Sequence, residues 1–391
     1  MKDNIKVAII GFGGRAHGLF NDVFSKKLDE GFITFTHICD LYEDRAKLGA
    51  DLVEKATGVR PVETTDYKTV IADKPDAIII TTAWEAHVPI AIEAMKAGIY
   101  VGTEVGGAYD VQDCWDLVNT YEQTKTPLYF LENCCFGRRE LMIKNMKEKG
   151  VLGEIIHCAG AYCHDLREEV TKGEINRHYR LRNYQTRNCE NYPTHELGPI
   201  AKVLGIGEDN RMVSLVSVAS KSRGANIYAQ ENNIDIGAPI IQADIVTTII
   251  KCQNGETITL TLDTTLPRNY SRKFSVYGTK GKYEEDTDSV FLDSEHADCH
   301  FTWKEHWGNA EKYAEEFEHP IWQEYRKNPI GGHDGIDWLV FSDFFNCVRN
   351  ESYPTLDVYD AADWMCITPL SEQSIKNGGS AVEIPDFKNK K

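Results

Sequence analysis

The chain has 391 residues, 26% of them charged and 42% hydrophobic, which is enough for two domains with a core each. A formal net charge of −17 without any basic run argues against nucleic acid or an anionic membrane surface as partner, and no apolar stretch approaches the roughly 20 residues that span a bilayer. Eleven cysteines are scattered without a CxxC repeat, and the chain enters its first strand directly after Met1-Lys2-Asp3-Asn4, so free thiols and a cytoplasmic location are expected.

Val7 to Ile10 is a short apolar run that reads as a buried parallel strand. It runs into Gly11-Phe12-Gly13-Gly14-Arg15-Ala16, where a helical pattern begins, and a second apolar run from Phe32 to Cys39 ends at Asp40. Strand, glycine turn, helix, strand, acid is the fingerprint of a dinucleotide-binding βαβ unit, here with Ala16 in the third glycine position. Gly11 permits the tight turn, Gly13 lets the backbone approach a pyrophosphate, and the helix N-terminus offers free N–H groups to it. Asp40 should accept hydrogen bonds from a ribose diol and would repel a 2′-phosphate, so the expected cofactor is NAD and not NADP.

Further along, helices are expected over Asp44 to Thr57 and Asp66 to Ala72, and a strand over Asp76 to Thr82 that ends at Trp84-Glu85-Ala86-His87. A helix from Val88 to Ala97 stops at Gly98, a suitable C-cap. Strand Tyr100 to Val105, helix Val111 to Lys125 and strand Pro127 to Leu131 complete the pattern. Ligands of open α/β sheets bind outside the carboxyl ends of the strands, and three strands here deliver Trp84 to His87, Glu104-Val105 and Glu132-Asn133 to that edge. The fold class is therefore α/β: an N-terminal doubly wound Rossmann sheet over residues 1–130, then a second α/β domain over 131–391.

In that second domain a helix from Arg139 to Lys149 leads to a strand from Glu154 to Tyr162. The polar stretch Asp165 to Arg187 has little apolar periodicity and reads as an extended, partly mobile loop. A helix is expected over Pro193 to Leu204, then alternating runs at 213–220, 242–252, 257–264 and 273–277 that predict an open, mostly antiparallel sheet. One face of that sheet is left for an interface, so a homo-oligomer is expected. Helices over 334–349 and 358–373 should pack back on the first domain.

One cluster is more than folding requires. Tyr162, His164, Asp165 and Arg167 follow a strand, Tyr179-Arg180 sits in the polar stretch, Tyr192-Pro193-Thr194-His195 opens a helix, and Tyr270 follows another strand. Histidine and tyrosine suit general acid/base work, and arginine and tyrosine suit a polyhydroxylated ligand. His164 and His195 also read as hydrogen-bonded structural histidines, and Tyr270 as an aromatic closing a turn. His157 and His178 have no assigned role. His164, Asp165 and His195 lack metal-ligand spacing, so no metal is expected.

These motifs resemble the Gfo/Idh/MocA oxidoreductases over the whole chain, with two departures. Glu104-Val105-Gly106 stands where ordinary members carry Glu-Lys-Pro, and Asn191 stands where they carry an acid four residues before a catalytic histidine. The chain is more similar to the NAD-dependent glycosidases of glycoside hydrolase family 109, known for α-N-acetylgalactosaminidase activity. It shares Trp84-Glu85-Ala86-His87, Glu104-Val105, Glu132-Asn133 with Gly137, Ala161 to Arg167, Tyr192-Pro193-Thr194-His195 with Leu197-Gly198-Pro199, and Leu266-Pro267-Arg268 with Tyr270-Ser271-Arg272. That family has Glu-Val-Pro where this chain has Glu-Val-Gly. The resemblance implies that Gly14-Arg15, Asp40, Trp84 to His87, Glu104-Val105 and Asn133 contact NAD. It implies that Tyr162, Arg180, Tyr192, Pro193, Thr194, His195 and Tyr270 line a site for a small glycoside or sugar.

The chemistry implied is hydrolysis through transient oxidation at the sugar's C3, elimination of the aglycone, addition of water and re-reduction. In it His195 with Tyr192 handles the C3 hydroxyl proton, and His164 and Tyr270 are candidates for the C2 and leaving-group steps. The alternatives are an NAD-dependent sugar or inositol dehydrogenase, a 3-keto-forming oxidoreductase that releases its product, and a non-catalytic NAD-binding regulator.

Overall fold

The computed structural model describes residues 1–389. They divide into two compact units. The first takes in Met1–Ala108, Gln112–Phe136 and Tyr325–Ala362, and the second takes in Tyr109–Val111, Gly137–Glu324 and the residues from Asp363 onward.

The first unit is built on six parallel strands: β1 (Ile5–Ile10), β2 (Ile33–Cys39), β3 (Val62–Thr64), β4 (Ala77–Ile80), β5 (Tyr100–Thr103) and β6 (Leu128–Phe130). Their spatial order is β3-β2-β1-β4-β5-β6, the doubly wound order whose direction reverses between β1 and β4. All four residues of β4 are buried, as a strand covered by helices on both faces requires. Trp84 to His87 differ from the expected strand end: they form the first turn of a helix, Trp84–Lys96, because Ala83 turns the chain from extended backbone into it.

The helix Ile336–Asn350 also belongs to this unit. It starts later than its sequence pattern suggests, because Asp334 and Gly335 both have positive φ (51° and 91°) and break the pattern. Its Phe344 lies against Gly102 of β5, where an added Cβ would sit 2.8 Å from the ring. Tyr129 and Tyr100 meet Phe344 edge-on at 5.7 and 6.0 Å. A glycine in a strand usually marks such a close approach.

The second unit holds an eight-stranded sheet of β7 (Ile155–Cys163), β8 (Met212–Ala219), β9 (Ile245–Cys252), β10 (Thr257–Asp263), β11 (Ser275–Gly278), β12 (Gly281–Glu284), β13 (Ser289–Leu292) and β14 (Val382–Glu383). The order is β13-β12-β11-β7-β10-β9-β8-β14, and every pair is antiparallel except β7 with β10. The helix Thr194–Leu204 packs on β7 at Gly160, where a Cβ would lie 2.9 Å from Glu196 Cβ and 3.1 Å from Ile200 Cδ1.

The polar stretch after β7 is not an extended loop. It folds into three short helices, Arg167–Thr171, Gly173–Asn176 and Arg180–Thr186, which bury Val170, Leu181 and Tyr184. Three large side chains spread over fifteen residues leave no periodic trace in the sequence, yet they anchor the segment. The C-terminal pattern over 358–373 resolves into two helices, Val358–Met365 and Ile367–Lys376.

Candidate active site

In the first unit, β1 ends in a turn at Gly11 with φ +95°, where a Cβ would lie 2.7 Å from the Thr81 carbonyl carbon and the Thr82 nitrogen. No other residue fits there without strain. Gly13 caps the next helix with no side chain bonded across its first turn, and a Cβ on Gly14 would meet nothing within 4 Å. The first turn of the helix is thus left without a side-chain cap. Asp40, at the end of β2, is buried and accepts from the Phe12 N–H at 2.6 Å and the Tyr42 N–H at 2.9 Å. Those two bonds aim its carboxylate beside the glycine turn and leave lone pairs for a ribose diol. The turn, the uncapped helix start and the fixed carboxylate fit a dinucleotide.

The other expected cofactor residues gather at the ends of β4, β5 and β6. Trp84, Val105 and Glu132 are buried, and Glu132 accepts from the Cys134 N–H at 3.0 Å. His87 is buried with Nε2 at 3.0 Å from the Thr82 carbonyl, and desolvation pushes its pKa down to about 4, so it is a neutral ring tied to the backbone. Gly106 has a specific steric role: a Cβ there would lie 2.4 Å from Trp84 Cδ1. The indole packs on the bare backbone where the family's proline ring would stand.

Arg15 joins these ends. Its Nε donates to Glu104 at 2.9 Å, and its two terminal nitrogens donate to both oxygens of Asp337 at 2.8 Å each. Asn133 donates to the same Asp337 at 2.7 Å, and His333 Nδ1 lies 2.7 Å from it. Asp337 is 1% exposed, and its bonds to His333 and Arg15 outweigh desolvation and hold its carboxyl well below the usual range. Glu104 moves the other way: burial, aided by Asp337, raises its pKa against the pull of Arg15. Asp337 and His333 were not singled out from the sequence. No local motif marks them, and Asp337 stands 322 positions from Arg15.

In the second unit, β7 and β10 run parallel with Cys163 opposite Asp263, so the segments leaving their carboxyl ends emerge side by side. Tyr162 and His164 come from the first and Tyr270 from the second, and the His164 and Tyr270 rings meet at 5.2 Å. The start of the helix Thr194–Leu204 adds Tyr192, whose ring lies 4.4 Å from Tyr162, and His195, at 4.8 Å from Tyr192 and 5.6 Å from Tyr162. Two tyrosine–histidine pairs result: the Tyr162 hydroxyl 3.1 Å from His164 Nδ1, and the Tyr192 hydroxyl 3.4 Å from His195 Nε2. Pro193 and Thr194 are buried between them in sequence, while Tyr270 is half exposed.

Arg180 controls the electrostatics of this cluster. It is buried, donates to Glu169 at 2.7 Å, and lies 5.3 Å from the Tyr192 ring centre. Burial and then the Arg180 charge lower the pKa of His164, which favours a neutral imidazole able to take a proton. Burial pushes the Tyr162 phenol up to about 12, so it remains a donor. Asp165 is engaged by the Arg167 guanidinium at 2.9 and 2.7 Å. Glu190, two residues before Tyr192 and wholly buried, has its pKa pushed up to about 8 by desolvation. The sequence reading passed over it because it stands one position off the place where the oxidoreductases keep their acid.

Residues 5–130 match the oxidoreductase family with an NAD-binding Rossmann fold, and residues 136–391 match the C-terminal domain of glycosyl hydrolase 109. A glycosyl hydrolase family 109 protein of Stenotrophomonas maltophilia is 34% identical over 98% of this chain and 89% of its own length. An alpha-N-acetylgalactosaminidase of Tannerella forsythia is also 34% identical, over 98% and 86%. The chain belongs to glycoside hydrolase family 109. It is an NAD-dependent glycosidase, and residues 5–130, which carry the glycine turn and Asp40, are its NAD-binding Rossmann domain. The fold is shared more widely. A levoglucosan dehydrogenase solved with NADH and levoglucosan superposes with a TM-score of 0.68 at 18% identity, covering 98% of this glycosidase and all of that chain. A Bordetella pertussis dehydrogenase solved with NADH and UDP-GlcNAcA gives 0.67 at 15%, covering 98% of each. Among the described residues no helix of the glycosidase is long and apolar enough to cross a membrane.

Proposed function

We propose that this family 109 glycosidase cleaves α-N-acetylgalactosaminides or closely related amino-sugar glycosides through transient oxidation at the sugar's C3. The observation that carries the reading is the pair of tyrosine–histidine couples, Tyr162–His164 and Tyr192–His195, within one aromatic cluster. Hydrolysis by the common route uses two carboxyl groups flanking the glycosidic bond. This cluster offers phenols and imidazoles instead, which suit stepwise proton transfer. The Tannerella relative's name supplies the sugar.

NAD, when bound, accepts hydride from C3 and returns it at the end, so the cycle has no net redox change. His195, steadied by the Tyr192 hydroxyl, takes the C3 hydroxyl proton as the ketone forms. That ketone acidifies the proton on C2, and His164, kept neutral by burial and by Arg180, removes it. The bond from C1 to the aglycone oxygen then breaks, with Tyr270 supplying the proton the leaving group needs. Water adds at C1 and gives a proton to the Tyr270 phenolate, His164 returns its proton to C2, and His195 gives its proton back to the C3 oxygen. Arg180, with Tyr162 and Tyr192, orients the sugar hydroxyls, and Pro193 and Thr194 shape the wall. Arg15, Asp40, Glu104-Val105 and Asn133, with Trp84 and His87, serve the dinucleotide.

Copies of the chain associate in this reading through the second sheet. Val218 and Ile249 are 61% and 51% exposed, and Ile249 pairs with Val216 and Thr259 on the same face. Sedimentation would report a multiple of the 44.2 kDa chain, reduced by Ile249→Lys; a wild-type monomer would refute the association.

The catalytic test is a panel of chromogenic α- and β-glycosides, with absorbance followed at the aglycone and NADH wavelengths together. Aglycone release from the α-N-acetylgalactosaminide without accumulating NADH is the expected result. NADH accumulating on free sugars without aglycone release would make the enzyme a dehydrogenase and end the proposal.

A further inference from the structure

The Arg15 network contains a residue that the glycosidase reading leaves without a role. Asp337 lies in the first turn of the helix Ile336–Asn350, over two hundred residues beyond Asn133, yet it receives three charge-assisted or amide bonds from residues of the NAD-binding domain. Arg15 follows directly on the glycine turn, and Asn133 leaves the end of β6. Both oxygens of Asp337 are taken by the parallel fork of the Arg15 guanidinium, the geometry that fixes an arginine in plane as well as in distance. Glu104, from the end of β5, holds the third side of the same guanidinium.

Two carboxylates therefore face one arginine. Its charge is largely answered within the protein, so Arg15 is better suited to fix the glycine turn than to act as counter-ion for a pyrophosphate. The phosphates are left to the N–H groups of the uncapped helix. His333, four residues before Asp337, closes the open edge of the carboxylate and is itself raised in pKa by that contact. Asp343, on the same helix, accepts a separate, partly buried bond from the Tyr129 hydroxyl at 2.6 Å.

We propose that Asp337 is a positioning residue of the dinucleotide site, setting NAD affinity by holding Arg15 and Asn133 in place across the ends of β1, β5 and β6. This rests on the reading that Arg15 and Asn133 serve the dinucleotide. Losing one charge-assisted bond of this kind weakens binding by roughly tenfold or more.

The test is NADH titration of the full-length chain by fluorescence, with melting temperature recorded alongside. Wild type, Asp337→Asn, Arg15→Gln, the double variant, His333→Gln and Asp343→Asn are compared. Asp337→Asn should lose NADH affinity by roughly tenfold, and the double variant should lose less than the product of the two singles, since both act through one fork. Saturating NAD should restore most of its turnover. Asp343→Asn should lower the melting temperature and leave affinity at the wild-type value. His333→Gln, which stays at the exposed edge, should weaken binding by a smaller factor and keeps the idea testable if Asp337→Asn does not fold. Wild-type affinity in both Asp337→Asn and His333→Gln would overturn the proposal. So would an affinity loss in Asp343→Asn equal to that in Asp337→Asn. Absence of NADH binding by the wild type would instead count against the cofactor reading itself.

Discussion

In the first unit Arg15, Glu104 and Asp337 meet charge to charge, with the Asn133 amide bonded to Asp337; in the second, Tyr162, His164, Tyr192, His195 and Tyr270 meet ring to ring. In the proposed reading the difference follows from what each has to hold. A dinucleotide needs a backbone cradle of fixed shape, and ion pairs between elements give rigidity at a site where their own charges are already satisfied. Proton transfer needs groups whose charge changes during turnover. Packed phenols and imidazoles, with one buried arginine beside them, can pass a proton between neighbouring rings.

The largest effect should come from breaking the second pattern alone. His195→Ala is expected to lower kcat by roughly 10²- to 10⁴-fold, the range for loss of a general acid/base, while NADH titration stays unchanged. Tyr192→Phe should fall less, because its hydroxyl works through the imidazole. Full turnover in either variant would remove the assigned roles.

The first pattern breaks through pH. Unfolded His87 takes its proton near 6.5 and folded His87 near 4, so between those values the unfolded state binds more protons. Stability is intact above 6.5 and is lost as pH falls towards 4, by at most about 3 kcal/mol. Melting curves from pH 7.5 to 4.5 should be flatter for His87→Gln than for wild type. Equal slopes would show that another group controls the acid limb.

Gly106→Ala sharpens the comparison at a single contact. The added Cβ meets the Trp84 ring at 2.4 Å, so the indole must shift, costing about 2 kcal/mol of stability as overpacking does. A melting temperature within error of wild type would mean the ring relocates freely.

The last test concerns Glu190. Between 4.5 and about 8 the folded state keeps a proton that the unfolded state has released, so stability declines as pH rises through that window. Glu190→Gln removes the decline and should melt higher than wild type at pH 8. A variant less stable than wild type at that pH would mean the carboxyl is used as an anion.

Much of the fold was legible because it depends on local order. β1, the glycine turn, the following helix, β2 and Asp40 lie within forty residues, and a parallel strand buried on both faces must be an unbroken apolar run. Tyr192-Pro193-Thr194-His195 was readable for the same reason, since one helix start carries all four residues. The three helices over 167–186 were not legible, because the buried Val170, Leu181 and Tyr184 leave no periodic trace and Tyr184 is held by the Thr264 hydroxyl, 80 positions away.

By itself, then, the sequence determined the Rossmann fold of the first unit, the NAD cofactor and the candidate tyrosines and histidines of the second. Only tertiary structure decided how those side chains pair: Tyr162 with His164, Tyr192 with His195, and Arg15 with Asp337. The physical reason is range. Strand and turn preferences act between neighbours along the chain, whereas a hydrogen bond or a ring contact is decided by which backbones lie within a few ångströms, and that depends on the parallel register of β7 with β10 and on the return of the helix Ile336–Asn350 to the first sheet.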